Sequence, residues 1–329
     1  MDKKVLLIAP TFFGYYKEMI IELEKTGYSV DYVSDIPSNS NIYKAITRIN
    51  RNFGKIFVEN YFKKKIEPLI KKNKYNYVFC VIGMTFSFFP NQIEKMKKYQ
   101  ENAKFLMYQW DGEKNIKFIT KMHKYFDKVY TFDRIDAIEN SVYNFLPLFY
   151  IDKYKNVKVL KNYEYDVSYI GTAHPKKIKY IIEMSEKLMS VYPKQFIYNY
   201  MPSKLKYYYH KLTSNEYKNI KLTDLKFEKI ASDKTQKIFE ESKCILDSPQ
   251  AGQIGLTIRT IECLGAKRKL ITSNEDIKNY DFYKSENIYI YNGDFDYENI
   301  FFKSEYKDID EDIYEKYSLC NWLKTIFNN

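Results

Sequence analysis

The sequence predicts an α/β protein built as two tandem units, each a parallel β-sheet flanked by helices. Three observations lead there. Short apolar runs alternate with segments of helical periodicity, the signature of βαβ units. The alternation breaks once, in NFLPLFYIDKYKN (144–156) around Pro147, and then restarts. A length of 329 residues exceeds what one ordinary core organises, so two domains are expected, with a boundary near 150.

In the first half, KVLLIAP (4–10) is a strand that stops at Pro10. YYKEMIIELEKTG (15–27) has helical periodicity and ends on Gly27, a favoured C-cap. YSVDYVSD (28–35) is the next strand, and a helical stretch follows from about 42 to 72, with breaks near Gly54 and Pro68. YNYVFCVIG (75–83) is a buried strand, NQIEKMKKYQE (91–101) a helix and AKFLMYQWD (103–111) a strand. NIKFITKMHKYFD (115–127) reads as a helix and KVYTFD (128–133) as a strand.

In the second half, YDVSYIG (165–171) is a strand, PKKIKYIIEMSEKLMSVY (175–192) a helix and QFIYNYM (195–201) a strand. SDKTQKIFEESK (232–243) is a helix with Ser232 as its N-cap. CILDSP (244–249) is a strand, GLTIRTIECLGA (255–266) a helix, and KLITSN (269–274) and NIYIYNG (287–293) are strands. One or two helices follow between about 309 and 327. In such sheets ligands bind beyond the carboxyl ends of the strands, so two units facing each other are expected to line a shared cleft.

Composition removes several function classes. No run of 18 apolar residues exists, so no membrane span is expected. The apolar part of MDKKVLLIAP is too short for a secretory signal, which points to a cytoplasmic chain. Cys80, Cys244, Cys263 and Cys320 lack CxxC spacing and read as buried reduced thiols. His123, His174 and His210 lack metal-ligand spacing. DFD (294–296) and DID (308–310) read as solvated surface charge, so no essential metal is expected. TFFGYY (11–16), with Phe13, Gly14 and Tyr15, follows the first strand and lacks GxGxxG, so a dinucleotide cofactor is not expected; Gly14 suits close approach of a ligand.

Net charge is +11, of which +8 falls in residues 1–150, concentrated in YFKKKIEPLIKKNK (61–74) and EKMKKYQ (94–100). Solvated helix faces account for each cluster alone. Together they suit an anionic partner: a phospholipid surface, a diphosphate-linked acceptor or nucleic acid.

The least ordinary stretch is DSPQAGQIGLTIRTIECLGAKRKLITSN (247–274), read as strand end, Gly-containing loop, helix, basic turn and strand. A helix N-terminus carries free N–H groups and partial positive charge, which suits phosphate. Gly252 and Gly255 allow close backbone approach, Thr257 offers a hydroxyl, and Glu262 suits a vicinal diol such as a ribose. Arg259, three residues before Glu262, orients that carboxylate. A capped amphipathic helix with a surface Arg–Glu pair is the competing reading.

GQIGLTIRTIECLGAKRKLITSN resembles the donor-site segment of bacterial glycosyltransferases of the two-Rossmann-domain (GT-B) type, above all those of lipopolysaccharide-core and capsule assembly, including the CgeB-like proteins. YQWDGEKN (108–115), YTFDRIDA (130–137) and YDVSYIGTAHPKK (165–177) resemble the same group. The resemblance implies an N-terminal acceptor domain (1–150), a C-terminal nucleotide-sugar domain (151–311) and tail helices (312–329) that cross back onto the first domain. It implies Gln253, Gly255, Leu256 and Thr257 near the donor diphosphate, with Arg259 beside them, and Glu262 on the ribose. Many retaining members carry a second Glu eight positions earlier; here that position is Ile254, which leans toward inversion and therefore toward a general base.

Asp111 is the first base candidate, at the end of a strand beside Tyr108 and Trp110, where an apolar pocket raises a carboxyl pKa; a helix cap or a turn with Gly112 is the alternative. Asp133 is the second, with pairing to Arg134 or capping as its alternative, and Asp35 the third. In GTAHPKK (171–177), Gly171, Thr172 and His174 offer donors, and Lys176 or Lys177 neutralises diphosphate charge in place of a metal. The expected protein is an inverting, metal-independent glycosyltransferase without a cofactor. It takes a nucleoside diphosphate sugar as co-substrate and a glycan or lipid-linked glycan as acceptor, working at the inner face of the cytoplasmic membrane, with no nucleic-acid partner. A nucleotide-sugar epimerase of the same architecture is the alternative, and a basic nucleic-acid-binding protein a more distant one.

Overall fold

Val5, Leu6, Leu7 and Ile8 are all wholly buried. A strand covered by helices on both faces needs such a continuous apolar run rather than an alternating one. The computed structural model describes residues 3–11, 14–38, 40, 43, 47, 50–116, 118–249 and 254–328, without the side chains of Lys176 and Ser232. Phe13, Gly252 and Gln253 lie outside the described residues.

The chain divides into two compact units, Met1–Pro147 with Leu323–Asn329, and Leu148–Trp322. In the first, β1 (Lys3–Ala9), β2 (Tyr28–Ser34), β3 (Tyr77–Ile82), β4 (Lys104–Gln109), β5 (Lys128–Thr131) and β6 (Tyr143–Phe145) form one parallel sheet in the order β2-β1-β3-β4-β5-β6. Its helices, among the described residues, are α1 (Tyr15–Lys25), α2 (Lys55–Tyr61), α3 (Glu67–Lys72), α4 (Pro90–Tyr99) and α5 (Arg134–Glu139).

In the second unit, β7 (Tyr165–Thr172), β8 (Gln195–Tyr200), β9 (Ser242–Asp247), β10 (Lys269–Thr272) and β11 (Ile288–Ile290) form a parallel sheet in the order β11-β10-β9-β7-β8. The connecting helices are α6 (Asp152–Lys155), α7 (Pro175–Leu188), α8 (Lys204–Thr213), α9 (Ser232–Glu241), α10 (Ile258–Gly265), α11 (Ile300–Lys303) and α12 (Glu311–Lys316), and α13 (Leu319–Phe327) starts in this unit and ends in the first. Both sheets are therefore doubly wound α/β layers of the Rossmann type.

Several elements differ from the sequence reading, each for a physical reason. Where a helix is expected over 115–127, the described residues form short 3₁₀ turns, Ile119–Lys121 and His123–Tyr125. Ile116, Ile119, Met122 and Tyr125 are buried, and their spacing of three matches the 3₁₀ repeat, not the α repeat. The break expected near Pro68 appears as a π turn over Phe62–Ile66, which widens the helix where the proline ring would meet the carbonyl one turn earlier. Ala231, not Ser232, is the N-cap of α9. Helix α8 forms within 202–231, where the sequence reading assigns no element; Ser203 caps it by accepting from Lys206 N–H.

The unit boundary falls just before the expected one because 148–151 is tied to the tail. Tyr150 N–H donates to Tyr317 O (2.9 Å), Leu319 N–H donates to Tyr150 O (2.9 Å), and Phe149 packs on Trp322 at 4.6 Å. Of the expected tail 312–329, only Leu323 onward belongs to the first unit. There the Phe327 ring packs on Tyr28, Tyr77 and Phe79 at 5.4, 5.0 and 5.5 Å.

Candidate functional site

The chain leaves β7 toward β8 on one side and returns to β9 on the other, so the carboxyl ends of β7 and β9 form the topological switch point of the second sheet. Asp247 closes β9 there and is buried to 1% exposure. Four groups meet at its carboxylate or beside it. Lys177 Nζ lies 3.3 Å from Oδ1, Thr260 Oγ1 donates to Oδ2 at 3.1 Å, and Thr257 Oγ1 donates to the same oxygen. Thr257 Oγ1 in turn accepts from Thr260 N–H at 3.2 Å as the N-cap of α10. The Lys177 ammonium sits over the Tyr169 ring, 5.8 Å from its centre. Burial alone would lower the Lys177 pKa, but Tyr169 and Asp247 outweigh it and leave the ammonium above its ordinary value.

Tyr169 is buried, and its Oη has no hydrogen-bond partner among the described residues. Gly171 makes room for it: a Cβ at 171 would lie 2.1 Å from Tyr169 Oη. A second cation–carboxylate pair completes the cluster. Arg259, on the first turn of α10, reaches Glu262 at 2.9 Å, and its guanidinium lies 4.9 Å from the Phe239 ring centre. Burial, with the charge of Glu262 nearby, raises the pKa of Tyr154 on α6.

The expected residues take these places in the geometry. Glu262 has 2% side-chain exposure and is closed over by Arg259, so it is an internal partner, not an open carboxylate; the pair is also not a surface pair. The Thr257 hydroxyl is committed to Asp247 and to capping α10. Leu256 is a core side chain at 2% exposure, and Gly255 is buried. Gly171 and Thr172 belong to β7, in register with Asn199 and Tyr200, so the loop is only Ala173 and His174 before Pro175 starts α7. Lys177 points inward to Asp247. Among the candidates, Arg259 keeps 17% side-chain exposure beside the helix end. His174 is the N-cap residue of α7; burial, with Lys206, Lys177 and His210 around it, lowers its pKa and keeps it neutral at neutral pH. Gln253 and the Lys176 side chain lie outside the described residues.

In the first unit, the switch point lies between β1 and β3. Gly14, at φ 78°, caps α1 in the left-handed region that favours glycine, and Tyr15 packs on Trp110 at 5.7 Å. Asp111 follows β4 and accepts from Met84 N–H at 2.8 Å, in the loop after β3. Burial pushes its carboxyl above the ordinary range, against the opposing effect of that hydrogen bond. Asp133 caps α5 by accepting from Ile135 N–H (3.0 Å) and Asp136 N–H (3.4 Å), so its carboxylate serves the helix start. Asp35 is buried and accepts from Thr85 Oγ1 at 2.5 Å.

Three residues of these edges carry roles that the sequence reading does not assign. Asp247 is the hub of the second edge; its signal is a strand-ending acid followed by two threonines one turn apart on the next helix. Tyr169 sits two residues before the glycine that clears its hydroxyl. Asp136 accepts from Glu113 N–H at 2.7 Å, and burial, then repulsion from Asp133, Glu113 and Glu139, pushes it up to about 6. A Cβ at Gly112 would lie 3.7 Å from Asp133 Oδ2 and 3.8 Å from Asp136 Oδ2, so both carboxylates converge on Gly112.

No protein-family model and no curated protein matches the chain. Solved structures do match it. The apo form of the lipopolysaccharide outer core galactosyltransferase WaaB is 13% identical over 99% of both chains, with a TM-score of 0.54. Anabaena HepE in complex with UDP and glucose is 10% identical over 99% of this chain and 98% of its own, with a TM-score of 0.57. The catalytic domain of starch synthase IV from Arabidopsis thaliana, bound to ADP and acarbose, is 8% identical over 99% and 96%, with a TM-score of 0.55. At these identities the likeness is one of fold: two Rossmann-like domains, as in GT-B glycosyltransferases.

Proposed function

We propose that this protein is a glycosyltransferase that takes a nucleoside diphosphate sugar on its second unit and passes the sugar to a surface-glycan acceptor, of lipopolysaccharide or capsule type, held by its first. The carrying observation is the β7/β9 switch point. There Lys177, Arg259, the start of α10 and the Tyr169 hydroxyl, without a partner among the described residues, gather. Buried carboxylates fix both cations in place, and fixed donors aimed at developing charge stabilise a departing diphosphate. Proteins of the same fold hold UDP and ADP, which supports this choice of ligand.

Arg259 and the α10 N–H groups meet the diphosphate, while Glu262, Asp247 and Thr257 position them. The acceptor hydroxyl oxygen attacks the anomeric carbon, the bond from that carbon to the diphosphate oxygen breaks with its electron pair, and Asp111 takes the hydroxyl proton. One displacement inverts the anomeric centre, in keeping with Ile254 in place of a second Glu. Arg259 and the start of α10 carry the leaving-group charge, so no metal is required in this scheme. Peripheral attachment to the inner face of the membrane completes the reading. On the segment 51–74, Phe53, Ile56 and Phe57 are exposed beside the exposed Lys55, Lys63 and Lys64, and no acid there is exposed.

A panel of nucleoside diphosphates and their sugars tests this by thermal stabilisation, since a ligand that binds the native state alone raises the melting point. Stabilisation by at least one nucleotide is expected. Asp111→Asn is expected to retain it while losing transfer; wild-type turnover in that variant excludes Asp111 as the base.

A further inference from the structure

Helix α8 turns one side into the second unit, where Tyr207 packs with Ala173, Ile178 and Tyr217. Its opposite side carries Leu205, Tyr208, Tyr209 and Leu212, with 81, 55, 62 and 88% exposure. Their spacing of three and four places all of them within an arc of about 100°. An amphipathic helix normally turns such a stripe to the core; here it faces solvent. On a helical wheel Lys204 and Lys211 border the stripe on one side and Lys206 on the other, and the exposed Lys218 and Lys221 follow. Among the described residues no acid between 202 and 226 is exposed. Glu216 accepts from the Ser214 hydroxyl at 2.6 Å and Asp224 from Lys221 N–H at 2.7 Å, both half-buried.

We propose that this face of α8 is a membrane-contacting surface that lies among the headgroups of an anionic bilayer. Leu205 and Leu212 enter the acyl boundary, the Tyr208 and Tyr209 rings suit the headgroup level, and the lysines reach anionic phosphates. A second copy fits less well. Two-fold pairing would set the same lysines against each other, and one ten-residue helix offers far less than the roughly 800 Å² per partner of a stable interface. The helix begins just after the carboxyl end of β8, the sheet edge that also carries His174 and Lys177. Docking through α8 therefore brings that edge to the lipid surface, where a lipid-linked acceptor is presented. The inference rests on the peripheral membrane association proposed above and gives it a second, specific contact.

The full chain is sedimented with vesicles of phosphatidylglycerol and phosphatidylethanolamine in equal parts, and with vesicles of phosphatidylcholine alone. Pelleting with the anionic vesicles and not with the neutral ones is expected. Leu205→Gln with Leu212→Gln is expected to lower the partition coefficient by about tenfold. Both changes replace exposed apolar groups by polar ones, and an unchanged melting temperature confirms the fold. Pelleting that survives this double change but is lost on Phe53→Ser with Ile56→Ser and Phe57→Ser overturns the α8 surface while leaving peripheral association in place. No binding of the wild type to anionic vesicles overturns both. A dimer in light scattering that the α8 double variant splits also overturns the proposal, in favour of a second copy.

Discussion

The two sheet edges treat their carboxylates in opposite ways. At the edge of the second unit, Asp247 and Glu262 are each closed by a cation, Lys177 at 3.3 Å and Arg259 at 2.9 Å. At the edge of the first unit, Asp111 and Asp136 accept backbone N–H groups, from Met84 and Glu113, and burial raises the pKa of both. The difference separates two kinds of chemistry. Paired charges give a stiff frame that fixes the direction of its donors. Carboxylates that meet backbone dipoles have their pKa raised by burial, the direction that suits a general base.

Breaking the pair at the second edge has the largest expected effect. Asp247→Ala leaves Lys177 buried without its carboxylate and frees two threonines, so urea unfolding is expected to show a loss of about 3–5 kcal/mol. A loss below about 1 kcal/mol would mean that the pair does not organise the edge. Gly171→Ala drives a methyl group into the Tyr169 ring and hydroxyl, at a cost of roughly 1–3 kcal/mol, and Tyr169→Phe is expected to recover part of it. Equal costs in both backgrounds would separate the two residues.

Asp136 sharpens the first edge. Its folded pKa of about 6 lies above the ordinary value of about 4. At pH below about 4 both states are protonated and the favourable contribution is fully present. As pH rises toward about 6 the unfolded chain ionises first and that contribution is lost. Asp136→Asn keeps an acceptor for Glu113 N–H and is expected to flatten this decline, by about 1–2 kcal/mol above pH 6 after allowance for solvent screening. Parallel stability–pH curves for variant and wild type would contradict it. The smallest effect belongs to an exposed pair of the same chemistry as Lys177–Asp247. Lys267 and Asp308 lie 2.8 Å apart with Asp308 78% exposed, and Asp308→Asn is expected to change stability by less than about 0.5 kcal/mol, within the error of a denaturant titration.

Much of the fold was legible because it rests on local pattern. The buried runs at β1, β3 and β9, the glycine that ends α1 and the break at Pro147 all carry their meaning in adjacent residues. Residues 115–127 misled because a repeat of three and a repeat of 3.6 differ little over so short a span. The candidate site was legible as a segment but not as contacts. The stretch 254–262 does open a helix at the switch point, and Arg259 meets Glu262 three residues on, as their spacing predicts, yet the sequence does not show that Thr257 turns to Asp247, ten positions earlier, or that Lys177 reaches the same carboxylate. Those partners come together only through the crossovers β7–α7 and β9–α10. Asp136 was hidden for the same reason: its pKa depends on Glu113, which arrives from the loop after β4.

The central claim is that the β7/β9 edge binds a nucleoside diphosphate through Arg259 and the start of α10. Isothermal titration of the full chain with UDP, ADP and GDP, alongside Arg259→Gln verified as folded by circular dichroism, measures it directly. The account predicts that at least one of the three binds and that the substitution weakens it by about tenfold or more, as loss of one charged hydrogen-bonding contact requires. Absence of heat for every nucleotide, or equal affinity in the two proteins, would contradict it.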